Sequence, residues 1–306
     1  MEIRIFSNYH GERLRLMRQK DSKPFGRISI LILSTLIHII MINNKMKKND
    51  ETISIAKGIC IILVVIGHCT PLGAANNFMY QFHVALFFFT AGYFFSDKKV
   101  ARPFEFIKRR IIGLYVPYLK YALFFLLIHN ILVSLHIMSD YYDISSWLYR
   151  LYLITTHFSG HDEMLGGFWF IKELFVVSVL YLFLRNYIAK SSKQIIEVLF
   201  ILLFVAIVMS HFEIEIPWLQ FSHRTVVGLF LFGLGEVACR LNISNLYDTK
   251  MALLAMPLMI VSAICGRFYF ESSNTNIIVF LVLAVVGIYC CLSLSKYIEY
   301  RGGVVS

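Results

Sequence analysis

Residues 53–69 read ISIAKGICIILVVIGHC and residues 78–95 read FMYQFHVALFFFTAGYFF. Each is close to the roughly 20 apolar residues a helix needs to cross a bilayer core of about 30 Å, and neither alternates as the strands of a barrel would. Six further segments of the same character follow, at 111–138, 165–188, 195–211, 216–239, 251–270 and 277–294. Lettered A to H in chain order, the eight segments predict an all-α, polytopic transmembrane helical bundle. The composition agrees: 306 residues are 58% hydrophobic and only 16% charged, so a water-soluble protein of this size is excluded.

The connections test this organisation independently. With Met46 placed on the cytoplasmic side, the inner loops receive 15 basic residues, whereas the outer loops hold only Arg150 and Arg267. The outer loops carry acids instead, among them Asp140, Asp143, Asp162, Glu163, Glu213, Glu215 and Glu271. A split of this kind is the positive-inside pattern of an integral protein of the cell membrane, multi-pass, with the Met46 end cytoplasmic. The net charge of +10 is therefore read as topology, and no nucleic-acid partner is expected. The chain is read in two parts. Residues 1–45 form an extension whose apolar run, 28–42, spans about 22 Å and falls short of the bilayer core. Residues 46–306 form the membrane domain, with Met46 as the real or an alternative start. The six cysteines all fall within or at the ends of apolar segments, as packing residues do.

Ionisable side chains inside spans cost several kcal/mol and mark functional candidates. Here they are Lys57 and His68 in A, His83 in B, His129 in C, Lys172 and Glu173 in D, and His223, Arg224 and Glu236 in F. Lys57 and His68 lie eleven residues apart, about 16 Å in depth and nearly on one face. Segment B returns after a short loop, so His83 falls near the depth of His68 and the two imidazoles face one site. Between C and D, His157 and His161 stand beside Asp162 and Glu163, but Ser159 and Gly160 between them oppose the helix that would align both rings, so no metal is expected.

The run from Ile55 to His68, the block Gln81 to Phe95, the basic stretch Phe106-Ile107-Lys108-Arg109-Arg110 leading to Leu114-Tyr115-Val116-Pro117-Tyr118, and Phe168-Trp169-Phe170-Ile171 together resemble, in order, the acyltransferase 3 family of integral membrane O-acyltransferases. The branch they most resemble is that of the fucose 4-O-acetylases. The resemblance implies acetyl-CoA or another acyl-CoA as co-substrate, with no bound cofactor, and a hydroxyl of a cell-surface or lipid-linked carbohydrate as acceptor. It implies a catalytic histidine on helix A, here His68. With it, His83 is assigned to the chemistry as an orienting or carbonyl-polarising group. Lys108, Arg109, Arg110 and Lys57 are assigned to the phosphates of CoA, and Trp169, His223 and Arg224 to the acceptor. The chain departs from the family pattern at Ser54, Ala85, Ala91 and Gly113. Family members usually carry ten helices, so two spans after the eighth are expected to be missing. These departures keep a second reading open, an inactive membrane partner, and the intramembrane charges keep a third, a small-molecule transporter.

Overall fold

The computed structural model describes residues 51–69, 73–160, 165–216, 221–243, 247–270 and 276–302. The extension at 1–45, the Met46 start and the His161, Asp162 and Glu163 part of the histidine loop lie outside the described residues. The described chain is helical: α1 (Glu51–Cys69), α2 (Ala74–Tyr80), α3 (His83–Tyr93), α4 (Asp97–Val100), α5 (Pro103–Arg110), α6 (Val116–Ser134), α7 (Ile144–Tyr152), α8 (Phe168–Tyr187), α9 (Ser192–His211), α10 (His223–Arg240), α11 (Thr249–Cys265) and α12 (Ile277–Gly302). Apart from one isolated bridge between Ile216 and Phe221, no strand pairing occurs among the described residues. Helices satisfy their own backbone polar groups, which is what a chain this apolar requires in lipid.

Four helical stretches are long and apolar enough to cross a membrane: 51–68, 103–134, 192–211 and 277–301, with α11 a shorter apolar helix. Their outward residues are large and exposed, for example Phe124, Leu127, Phe200, Phe204, Leu253 and Leu254, and form the lipid-facing surface of an integral membrane protein. Local chemistry sets the boundaries. Pro103 opens α5, where its missing N–H costs nothing. Ser191 and Gln194 form a capping box at the start of α9. The Asp143 carboxylate accepts the Ser146 N–H at 2.9 Å to start α7.

Two readings are corrected here. Segment B is not one continuous span, because the chain breaks at Gln81–Phe82 into α2 and α3. Phe82 packs on Gly287, ten residues and about 15 Å along α12 from Ile277, so α3 starts deep in the bundle with His83 as its first residue. The basic stretch before C is not a loop either. Pro103 to Arg110 is helical and runs through a π-type turn at Ile111–Tyr115, containing Gly113, directly into α6.

Helix α3 sits at the centre, with eight of its eleven residues buried, and packs against α1, α8, α10 and α12. Its crossing with α10 is so close that only glycine fits. A Cβ on Gly92 would lie 1.7 Å from the Phe232 carbonyl oxygen, and one on Gly235 would lie 1.9 Å from that of Phe89. Small residues at such crossings let two backbones touch, gaining dispersion contacts where no hydrophobic effect drives helices together. Gly228 and Gly233 on α10 admit Phe88 and Val177, and Leu199 and Tyr181, respectively. Helix α12 packs along α1 and α11, and the Cys60 and Cys291 sulfurs approach to 3.9 Å in the α1–α12 seam.

These packings fix direction: α3, α8 and α10 run in the same sense, with His83, Phe168 and His223 at one end and Tyr93, Arg185 and Arg240 at the other. Near the second end lies a buried ion network. Arg185, at the end of segment D, is 2% exposed and pairs with Glu236, itself 1% exposed, at 3.1 Å. Tyr181 donates to the same carboxylate at 2.6 Å, and Arg240 and Asp97 complete the set.

Both features yield measurements. Gly235→Val should destabilise the solubilised protein by about 1–3 kcal/mol or more through overpacking, whereas Gly58→Ala, whose added methyl meets nothing within 4 Å, should leave the unfolding midpoint unchanged or raised. Equal midpoints for the two variants would contradict the close crossing. Glu236→Ala should cost about 3–5 kcal/mol by removing the buried carboxylate and leaving Arg185 only the exposed Asp97. The double variant Arg185→Met with Glu236→Leu should recover most of that loss in the same thermal assay.

Candidate active site

The packing of α1 against α3 divides the candidate residues between two ends. At one end, His68 closes α1 and is exposed, while the Tyr80 ring stands between it and His83, with centroids 6.4 Å from His68 and 4.9 Å from His83. His83 is 2% exposed, and its Nδ1 lies 2.5 Å from the carbonyl oxygen of Met79, one turn back across the α2–α3 break. A carbonyl only accepts, so Nδ1 carries the proton and donates it, which leaves the Nε2 lone pair as the reactive edge of a neutral ring. The break in B therefore fixes the tautomer of His83 as well as its depth.

Tyr80 is held in turn. Its hydroxyl donates to the Gly67 carbonyl at 3.4 Å, and its ring lies 4.8 Å from Tyr269. Tyr269 donates to Asn77 at 2.6 Å, and Asn77 donates to the Ala263 carbonyl at 2.9 Å, which ties α2 to α11. Phe270, the next residue, stacks on Phe88 at 5.1 Å and on Trp169 at 5.9 Å. Residues 269–270 thus join the histidine pair to the start of α8. Trp169 is half-buried, with one face against Phe270 and therefore built into this aromatic group.

One turn further along α8 come Lys172 and Glu173, facing the start of α10. The Thr225 hydroxyl donates to Glu173 at 3.0 Å, and Arg224 lies within electrostatic reach of both Lys172 and Glu173. His223 is 5% exposed. The third intramembrane histidine does other work. His129 bonds the Asp140 carbonyl at 2.6 Å and stacks on Tyr142 at 3.4 Å, with Arg150 over the opposite part of that ring at 4.0 Å. Asn130 brackets the Tyr142 backbone with two hydrogen bonds of 2.9 Å, so this pair anchors the connection between α6 and α7.

At the other end of α1 and α3, Lys57 Nζ lies 5.0 Å from the Phe94 ring, and Lys99 donates to the Phe94 carbonyl at 2.5 Å. Arg110 lies 5.0 Å and Lys99 6.0 Å from the ring of Phe106. Among the described residues no carboxylate pairs with Lys57, Lys99 or Arg110. Burial and the neighbouring charges of Arg110, Arg109 and Lys57 hold the Lys99 ammonium down at a pKa of about 8. Three cations gathered without counter-charges form a site ready for a polyanion.

Of the assigned donor residues, Lys57 and Arg110 belong to this cluster. Arg109 turns to Glu105 at 2.5 Å on the exposed face of α5, and Lys108 is exposed. Lys99 and Tyr80 are additions. Lys99 was indistinguishable from the other loop cations in the sequence, and the one sign of Tyr80 was its place three residues before His83. Among the described residues no group of three or more His, Cys, Asp or Glu is arranged to hold a metal ion.

No curated protein and no solved structure matches the chain. A family model described as an acyltransferase domain matches residues 50–303, which takes in both clusters and every helix joining them. With that match over most of its length, the chain belongs to the acyltransferase 3 family and is a membrane acyltransferase.

Proposed function

We propose that the protein transfers an acetyl group, as the representative acyl group, from acyl-CoA to a hydroxyl of a cell-surface or lipid-linked carbohydrate. The observation that carries this reading is the two-ended layout of the α1–α3 pair. An uncompensated cationic cluster of Lys57, Lys99 and Arg110 occupies one end, and His68 and His83 flank Tyr80 at the other. A CoA thioester has matching parts, a phosphate-rich head and a reactive carbonyl at the end of a long arm. In this reading the Lys57 end faces the cytoplasm of a cell-membrane protein, takes the phosphates, and the arm passes along α1 toward His68. The acceptor arrives from the opposite side, its sugar ring against Trp169.

His68, the exposed imidazole, takes the proton of the acceptor hydroxyl as the oxygen attacks the thioester carbonyl carbon. The tetrahedral intermediate collapses with cleavage of the carbon–sulfur bond, and the thiol leaves with the proton returned by the imidazolium. The products are an ester and free CoA. His83 donates from Nδ1 to Met79, so in its neutral form it has no second N–H with which to polarise a carbonyl. Its part is to accept a hydrogen bond at Nε2 and orient the Tyr80 side of the site.

His68→Ala should lower transfer of labelled acetyl from acetyl-CoA to membrane carbohydrate by about 10²- to 10⁴-fold, the usual contribution of a positioned base. Retained transfer in that variant would overturn the mechanism. Arg110→Gln should raise KM for acetyl-CoA with little change in kcat. Because Lys99 is cationic below about pH 8 and neutral above it, KM for the donor should rise as pH passes about 8. Lys99→Arg should weaken that limb of the profile, and a limb unchanged by the substitution would detach Lys99 from donor binding.

A further inference from the structure

The start of α10 holds polar atoms that the fold leaves unanswered. The His223 imidazole is 5% exposed, and its Nε2 is buried with no hydrogen-bond partner. The neighbouring Arg224 has its Nε buried and equally unpartnered. Leaving such atoms unpaired costs about 1–3 kcal/mol each, a cost that proteins carry where a ligand completes the pairing. The backbone adds to the local field. The first N–H groups of an 18-residue helix point out of this end, with a macrodipole worth about half a positive charge.

Lys172 and Arg224 lie near the buried carboxylate of Glu173, which already accepts the hydroxyl of Thr225. Thr225 in turn accepts the N–H of Ser222, so the Glu173 contact is made through a side chain and leaves the His223 and Arg224 side-chain atoms unmet. Glu215, the other acid that faces His223, is exposed and screened by water. Trp169 lies one turn before Lys172 on α8, at the same end of the bundle as this cluster.

We propose that the acceptor is an anionic carbohydrate, and that its carboxylate or phosphate binds at the start of α10 with the His223 imidazole and the Arg224 guanidinium as ligands. The inference rests on the reading of this end of the bundle as the acceptor side, and it narrows the acceptor class. A carboxylate and a phosphate share the chemistry that this site recognises, two or more oxygens able to accept charge-assisted hydrogen bonds. Recognition would work mainly by rejection. A neutral sugar would leave His223 and Arg224 unpaired, whereas an acidic one satisfies both.

The test is ligand-dependent thermal stabilisation of the full chain in detergent, without acyl donor, using D-glucuronate, glucose 1-phosphate and D-glucose as probes. D-Glucuronate or glucose 1-phosphate should raise the unfolding midpoint and D-glucose should not, and the better of the two anions identifies the source. Arg224→Gln should weaken that binding about tenfold or more, as should His223→Ala, while Lys193→Gln, which alters an exposed pair on α9, should leave it unchanged. Midpoints of the unliganded variants report separately on folding. Equal stabilisation by glucose, no stabilisation by either anion, or undiminished binding in both variants would overturn the proposal. Binding is read without turnover, so an active His68→Ala enzyme would defeat the mechanism above and leave this inference standing.

Discussion

The inner helices of the bundle are placed by the contact between the backbones of α3 and α10. Gly92 and Gly235 each face a carbonyl oxygen at a distance that no Cβ could occupy, so the two helices meet along their main chains. In lipid the apolar side chains gain little by leaving one apolar surroundings for another, and close main-chain packing is among the few sources of specific attraction. Helices α8 and α9 reach this pair through Gly228 and Gly233, and α12 reaches it through Gly287 beneath Phe82. The depth and rotation of His83 at the head of α3, and of His223 at the head of α10, both follow from that one crossing.

A second consequence is that two kinds of charge cluster lie side by side at the Tyr93 end of α3. The Arg185–Glu236 pair is fully enclosed, satisfied by Tyr181 and Arg240, and so holds α8 to α10 without offering anything to a ligand. The cluster of Lys57, Lys99 and Arg110 is the opposite case, cations held together by aromatic faces and a backbone carbonyl, with no acid among the described residues. Burial alone does not tell these apart. What distinguishes a structural charge from a functional one here is whether its hydrogen-bonding capacity is already used.

Much of this was legible in the sequence for a physical reason. Uniform apolar runs of near-membrane length have no soluble alternative, so the helical bundle could be read from hydropathy, and each of the eight segments holds helix, the second of them in two pieces. The pairing of His68 with His83 followed from a short connection and a rise of 1.5 Å per residue. Details set by tertiary contact were not legible. The break at Gln81–Phe82 is not marked by proline or glycine at the break, where Phe82 meets Gly287 from over two hundred residues away. Arg185 sits at the end of an apolar run and looks like a loop charge until Glu236 is brought beside it. Tyr269 reaches Tyr80 through a connection whose course no local pattern specifies.

The seam between α1 and α12 has a consequence for how the molecule is made. Ala56, Cys60 and the hydroxyl of Thr52 on α1 meet Cys291 and Glu299 on α12, so the first and last described helices are neighbours. A ribosome delivers them more than two hundred residues apart. Helix α1, with Lys57 already in its apolar run, must wait in the bilayer through the insertion of every intervening segment before its own partner arrives. The seam is therefore a late contact, and until it forms the face of α1 that carries Thr52, Ala56 and Cys60 lacks its partner. A chain interrupted before α12 would hold most of its helices and still lack this seam.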